Sequence, residues 1–143
     1  MKLISQSALL ILVLSILYLL ISGNLLSWSP IVIAGQLLAI LLAVWARRTF
    51  SAAQFSIHAE PIKSSLLSAG PYRFIRHPMY AAALLLLWTS ILGHVSPLNA
   101  GIGLLVTAVI FVRMITEEQL LQSYYPDYGA YAGRTKRIIP FIY

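Results

Sequence analysis

The chain has 143 residues, 59% of them hydrophobic and only 10% charged, with a mean hydropathy of +0.84 and a net charge of +6. A soluble globular domain is about a quarter charged, so this composition points to one domain in a lipid bilayer. The basic residues stand beside apolar runs, as membrane topology and anionic headgroups require rather than nucleic acid, and the absence of cysteine excludes disulfides, thiolate metal sites and a cysteine nucleophile.

The first apolar run, Leu3 to Ile21, is long enough at 1.5 Å per residue to cross roughly 30 Å of hydrocarbon. A signal peptide is the alternative, but the run exceeds a normal h-region and Ser22-Gly23-Asn24 is an indifferent cleavage site. Residues 23–30 form a turn leading to a second run, Ile31 to Ala46, which Arg47-Arg48 ends. Residues 49–76, with His58, Glu60, Pro61 and Lys63, read as a loop with some interfacial helix. A third run extends from Met79 to about Leu92, and Gly93-His94-Val95-Ser96-Pro97 turns the chain into a fourth, Leu98 to about Ile115. Runs three and four predict an antiparallel hairpin, and runs one and two a second. The expectation is an all-α integral membrane protein of four transmembrane helices, with residues 1–50 as the first hairpin of a single domain spanning 1–143.

Loops 22–30 and 93–97 contain no Lys or Arg. Lys2, the basic residues between runs two and three, and those from Arg113 onward all fall on one side of a four-span chain. The positive-inside rule makes that side the cytosol, with both termini there. The short chain also suggests a prokaryotic inner membrane.

Polar residues gather in three clusters. In Gly70-Pro71-Tyr72-Arg73-Phe74-Ile75-Arg76-His77-Pro78-Met79-Tyr80, Pro78 suits the first position of a helix. That leaves His77 at the cap, beside free N–H groups and the positive dipole end, a seat for a carboxylate or phosphate that Arg73 and Arg76 reinforce. Interfacial anchoring by Arg and Tyr is the plainer alternative. In the second cluster Arg113 and Glu117 share a helical face and can pair. Glu117-Glu118 at a helix C-terminus oppose its dipole, which suggests a waiting cation such as an ammonium group; a solvated pair at a helix end is the alternative. In the third, Tyr124, Tyr128 and Tyr131 are spaced to line one helical face, able to hold an adenine or a sulfonium.

At these residues the chain resembles the isoprenylcysteine carboxyl methyltransferase family, which also takes in the phospholipid N-methyltransferases. The motifs are Gly70 and Tyr72; Arg76, His77, Pro78 and Tyr80; Arg113, Glu117 and Glu118; and Tyr124, Tyr128 and Tyr131 followed by Arg137, Ile139 and Pro140. They cover residues 60–143, and the first two helices carry no motif. The family commonly has Gly where this chain has Ala82 and Tyr125, positions able to narrow a pocket.

The resemblance implies an S-adenosylmethionine-dependent methyltransferase. Its cofactor would lie between the last two helices and a C-terminal segment that closes the pocket at the cytosolic boundary. Tyr72, His77, Pro78, Met79, Tyr80 and Glu117 would bind it, with Glu117 on the α-ammonium group and His77 near the carboxylate. Arg113 and His77 are the candidate catalytic residues. Arg113 would orient Glu117 or hold an anionic group of the substrate, while Tyr72, Tyr128 and Tyr131 would help to close the pocket. The acceptor would be a lipophilic small molecule, a lipid or a prenylated chain, offering a carboxylate, amine or thiol. His77 or Glu118 would take the proton of an amine or thiol. No metal is implied, and four short helices could pack as a homodimer. Two alternatives remain at this point: an NADPH-dependent sterol-reductase-like enzyme, and a non-catalytic four-helix membrane protein. A transporter of this size would place charge at mid-helix, whereas here the charges gather at one side.

Overall fold

The computed structural model describes residues 2–59 and 66–140. Its elements are α1 (Lys2–Ile21), α2 (Pro30–Ala59), a 3-10 turn (Gly70–Arg73), α3 (Pro78–Gly93), α4 (Pro97–Tyr124) and α5 (Tyr128–Arg134). Among the described residues the architecture is all-helical, relieved by an isolated parallel bridge between Ile75 and Lys136.

Local chemistry accounts for most helix ends. After α1 the Asn24 and Gly23 amides donate back to the Leu19 and Leu20 carbonyls, a Schellman closure that Gly23 permits at φ 72°. Pro30, Pro78 and Pro97 each open a helix, where the missing N–H costs nothing. Ser96 caps α4 by accepting from the Asn99 amide at 3.1 Å.

Two helices outrun the apolar runs that announced them. Arg47-Arg48 do not end α2, which continues to Ala59, and α4 continues past Ile115 to Tyr124. Arg, Glu, Gln and Leu are good helix formers, so leaving the hydrocarbon changes the solvent but not the backbone. Much of the expected loop 49–76 is therefore helix, while Glu60, Pro61 and Lys63 lie outside the described residues. The extension also corrects the dipole argument. Glu117-Glu118 sit nearly two turns before the end of α4, not at its C-terminus.

Of the two expected hairpins, α3 and α4 do pack against each other, but α1 and α2 are not each other's main partners. The chief partner of α2 is α3, and α1 rests on α4. Residues 22–29 are too long a link to force α1 against α2, and small residues decide the matter. Val32, Gln36, Ala39 and Ala46 form one buried stripe on α2. Gly35 lies so near Thr89 that a Cβ there would collide with the threonine γ-methyl. Such close backbone approach is how helices associate where lipid removes the hydrophobic drive between them. Gln36 adds bonds to Ser90 Oγ (3.1 Å) and the Leu25 carbonyl (2.6 Å), and Trp88 Nε1 joins α3 to α4 through Thr107 (3.0 Å).

Leu19, Leu84, Leu87, Ile91, Val106, Ile110 and Met114 form the core of α1, α3 and α4. Outside it the helices present apolar side chains outward, among them Leu17, Leu38, Leu41 and Leu104. Outward-facing leucines on this scale suit a membrane protein. The Pro30–Phe50 part of α2 and all of α4 are long and apolar enough to cross a bilayer, and α3 and Leu10–Ile21 are shorter apolar helices.

The two loops without Lys or Arg meet at one end. There a ring nitrogen of His94, Nε2, lies 2.7 Å from the Leu26 carbonyl. The opposite end holds the site.

Candidate active site

The site begins at the corner between the 3-10 turn and α3. Gly70 adopts φ 54°, a conformation that favours glycine. It also has Thr49 of α2 directly against it, in the space a Cβ would need. This contact fixes the turn, and with it Tyr72, against the end of α2. His77 follows as the N-cap of α3, but its side chain makes no capping bond. Instead it turns inward, buried, with Nε2 3.3 Å from Oε1 of Glu118. Its ring stacks on Tyr80 with centroids 5.4 Å apart.

Helix α4 supplies the facing wall. The Tyr80 hydroxyl donates to Oε2 of Glu117 at 2.7 Å. The Arg113 guanidinium lies over the Tyr80 ring, 5.4 Å from its centroid, a cation–π arrangement. Arg113 and Glu117, one turn apart, thus reach the same tyrosine.

Glu118, about 100° further round the helix, points elsewhere. It accepts from Arg76 Nε at 2.8 Å and from Arg137 Nε at 3.0 Å. Arg76 also donates through Nη1 to the carbonyls of Ala132 (2.9 Å) and Thr135 (2.6 Å). Backbone bonds reinforce the attachment: Arg76 N to Lys136 O, His77 N to Arg137 O, and Lys136 N to Phe74 O. The segment after α5 is thereby strapped to the back of the His77 corner, and Ile138 packs against the core.

A cavity of about 280 Å³ opens between these walls, lined by Arg47, Phe50, Tyr72, Arg76, His77, Pro78, Met79, Tyr80, Arg113 and Glu117. That volume is at the small end of small-molecule sites. The structure brings Tyr72, His77, Pro78, Met79, Tyr80, Arg113 and Glu117, all singled out in the sequence, to this one space. Arg76 of the same motif lines it too, while the remaining residues of the three clusters lie elsewhere. Arg73 faces outward over the Phe74 ring, and Glu118 belongs to the strap.

The expected face of three tyrosines does not form. Tyr124 ends α4, 76% exposed, whereas Tyr128 and Tyr131 are buried on α5. Pro126 breaks the helix between them, because the residue before a proline is driven out of the α conformation. Tyr128 and Tyr131 pack edge-to-face behind the cavity, and the Tyr131 hydroxyl donates to the Tyr72 carbonyl at 2.8 Å. Ala82 and Tyr125 are not among the lining residues.

Burial sets the protonation states. It lowers the His77 pKa below the ordinary imidazole value, outweighing Glu117 and Glu118, which pull the other way. Burial raises Tyr72, with the Glu117 charge adding to it. It also pushes Tyr128 and Tyr131 up to about 12. His77 is neutral near pH 7, and these tyrosines are intact phenols.

Arg47 and Phe50 line the cavity although the motifs do not include them. Their sequence signal was a basic pair ending an apolar run, with an aromatic three residues on. That pattern serves topology equally well, and only the packing of α2 against the 3-10 turn distinguishes the two uses.

Comparison with known proteins agrees with the resemblance. No curated protein and no solved structure matches the chain. The model of the phospholipid methyltransferase family matches residues 28–128. The match begins earlier than the motifs suggested, taking in α2, and stops at the start of α5. The family is one of methyltransferases acting on lipid-like substrates, and over more than two thirds of its length this chain belongs to it.

Proposed function

We propose that the chain is an S-adenosylmethionine-dependent methyltransferase of the isoprenylcysteine carboxyl methyltransferase type, working on a lipophilic acceptor at the cytosolic face of a membrane. The observation that carries this reading is the cavity itself. It sets a carboxylate, Glu117, opposite the N-terminal turn of α3. A cation seat facing an anion seat is complementary to a zwitterionic amino-acid group.

When bound, the cofactor supplies an electrophilic methyl group on a sulfonium. The chain's own residues bind, orient and exclude water. Glu117, held by the Tyr80 hydroxyl, takes the α-ammonium group. The Met79 and Tyr80 amides, without intrahelical acceptors in the first turn, meet the carboxylate beside His77. Arg113, fixed over Tyr80, faces the acceptor. Tyr72 closes the side nearest the strap. A carboxylate acceptor needs no base. An amine or thiol must first lose a proton, and neutral His77 is the lining residue able to take it; Glu118 is occupied by Arg76 and Arg137. Four spans, both termini cytosolic, in a prokaryotic inner membrane complete the proposal. They put the cavity at headgroup level, where a lipid reaches it laterally without crossing water.

Calorimetry with S-adenosylhomocysteine on the detergent-purified protein tests the reading. Wild type should bind in the micromolar range. Glu117→Gln should weaken binding at least about tenfold, the worth of a charge-assisted hydrogen bond. No binding by wild type, in detergent or nanodiscs, would overturn the proposal.

A further inference from the structure

Glu118 is not among the residues that line the cavity, and the mechanism above gives it no part, yet it touches the group used there as a base. Its Oε1 lies 3.3 Å from Nε2 of His77 and also accepts from Arg76 Nε, while Oε2 accepts from Arg137 Nε. Burial by itself would raise the pKa of this carboxyl, but the bonds and charges of Arg76 and Arg137 outweigh it and hold the group below its ordinary value. Near pH 7 Glu118 is an ionised carboxylate, which can only accept hydrogen bonds.

That decides which ring nitrogen of His77 carries the hydrogen. A neutral imidazole has one N–H and one lone pair. A lone pair on Nε2 would set two acceptors face to face in a buried place. With the hydrogen on Nε2 the same contact is a charge-assisted hydrogen bond. The lone pair then belongs to Nδ1. Nδ1 makes no hydrogen bond among the described residues and is not sealed from solvent, so it is open to the cavity that His77 lines. Neutral His77 thus offers the cavity an acceptor and not a donor, and the anion seat is left to the amides of Met79 and Tyr80.

We infer that Glu118 is a positioning residue: through the Nε2 hydrogen bond it fixes the His77 tautomer and makes Nδ1 the atom that takes a proton from the methyl acceptor. This deepens the methyltransferase reading and rests on it. When Nδ1 takes the proton, the acceptor atom keeps the electron pair and the ring becomes an imidazolium. Its Nε2–H still points to Oε1, so the new charge meets a carboxylate already in place and not reorganising solvent. Arg76 and Arg137 anchor that carboxylate, which gives the strap a use beyond tying down the C-terminal segment. The other charged groups about the ring are Glu117 on α4 and Arg76 beside it. Arg113 lies over Tyr80, and α2 brings Arg47 to the cavity wall.

The experiment follows the full chain in detergent by NMR against pH, with the imidazole nitrogens isotope-labelled and the His77 signals identified by their loss in His77→Asn. Above the midpoint of the ring's titration, wild type should show one neutral form, with the hydrogen on Nε2 and Nδ1 bare. Glu118→Gln should lose that preference, because an amide can turn either its oxygen or its NH2 to Nε2. Its midpoint should fall by about one pH unit, as a charge-assisted hydrogen bond is lost. The direction separates positioning from mere tying of the strap, since a loosened strap hydrates the ring and moves the midpoint up toward about 6.5. Arg137→Gln, which leaves Glu118 beside the ring, should keep the hydrogen on Nε2; its loss there would assign the preference to the strap and overturn the inference. So would a Glu118→Gln midpoint that stays or rises. A wild-type ring with its hydrogen on Nδ1 would overturn it with no variant needed. The acid limb of kcat/KM should follow the ring's midpoint and move down with it in Glu118→Gln, and a limb that ignores the ring would end the role of Nδ1. A wild type that does not bind S-adenosylhomocysteine would leave the tautomer standing and remove instead the methyltransferase reading, and the proton transfer with it.

Discussion

Glu117 and Glu118 show how much one helical step decides. As neighbours in sequence they look like one acidic pair. On α4 they diverge, Glu117 into the cavity to receive Tyr80, Glu118 toward the strap to gather Arg76, Arg137 and His77. His77 stands between them, and its burial makes the fold sensitive to acid. Its folded pKa lies below the unfolded value of about 6.5, so the neutral ring favours folding. That contribution is complete above about pH 6.5 and is lost as the pH falls through the folded value. In detergent, the Tm of wild type should drop between about pH 7.5 and about pH 5.5 by more than the Tm of His77→Asn, which does not titrate there. Identical slopes would show that His77 is charged or solvated in the folded protein.

At the scale of elements, the seam between α2 and α3 positions the site. Gly35, Ala39 and Ala46 let α2 approach α3 closely, and the same helix then carries Arg47 and Phe50 to the cavity. Alanine at Gly35 is the better helix former by about 1 kcal/mol. Its methyl would nevertheless strike the Thr89 γ-methyl, and overpacking costs about 1–3 kcal/mol. Gly35→Ala should therefore lower Tm. Adding Thr89→Ser should restore it, because serine removes the γ-methyl and keeps the hydroxyl bonds to the Leu85 and Leu86 carbonyls. A Gly35→Ala variant as stable as wild type would mean that the seam is looser than its geometry.

For the whole molecule, orientation is the consequential property. The loops free of Lys and Arg meet at the His94 end, and the cavity, the strap and the arginines among the described residues lie at the other. The chain has no cysteine, so single introduced cysteines report sidedness without background. Trp28→Cys and Val95→Cys, at positions 97% and 76% exposed, should react with an impermeant maleimide on intact cells. Tyr124→Cys should react only after permeabilisation. Labelling of Trp28→Cys and Tyr124→Cys from the same side would rule out four spans with both termini in the cytosol.

The sequence by itself determined the apolar helices, the Pro-opened start of α3, and the short-range grouping of site residues from Tyr72 to Tyr80 and from Arg113 to Glu117. Helical register is local, so spacing along the chain is enough to say which of these side chains share a face. Hydropathy marked where α2 and α4 leave the apolar phase but not where they end, because Arg, Glu and Gln sustain a helix in water as well as apolar residues do in lipid. The tertiary structure alone decided that α2 pairs with α3, that Glu118 serves the strap and that Arg47 and Phe50 reach the cavity. Each of these depends on contacts between segments far apart in the chain, where close packing of small residues selects the partner and no local periodicity records it.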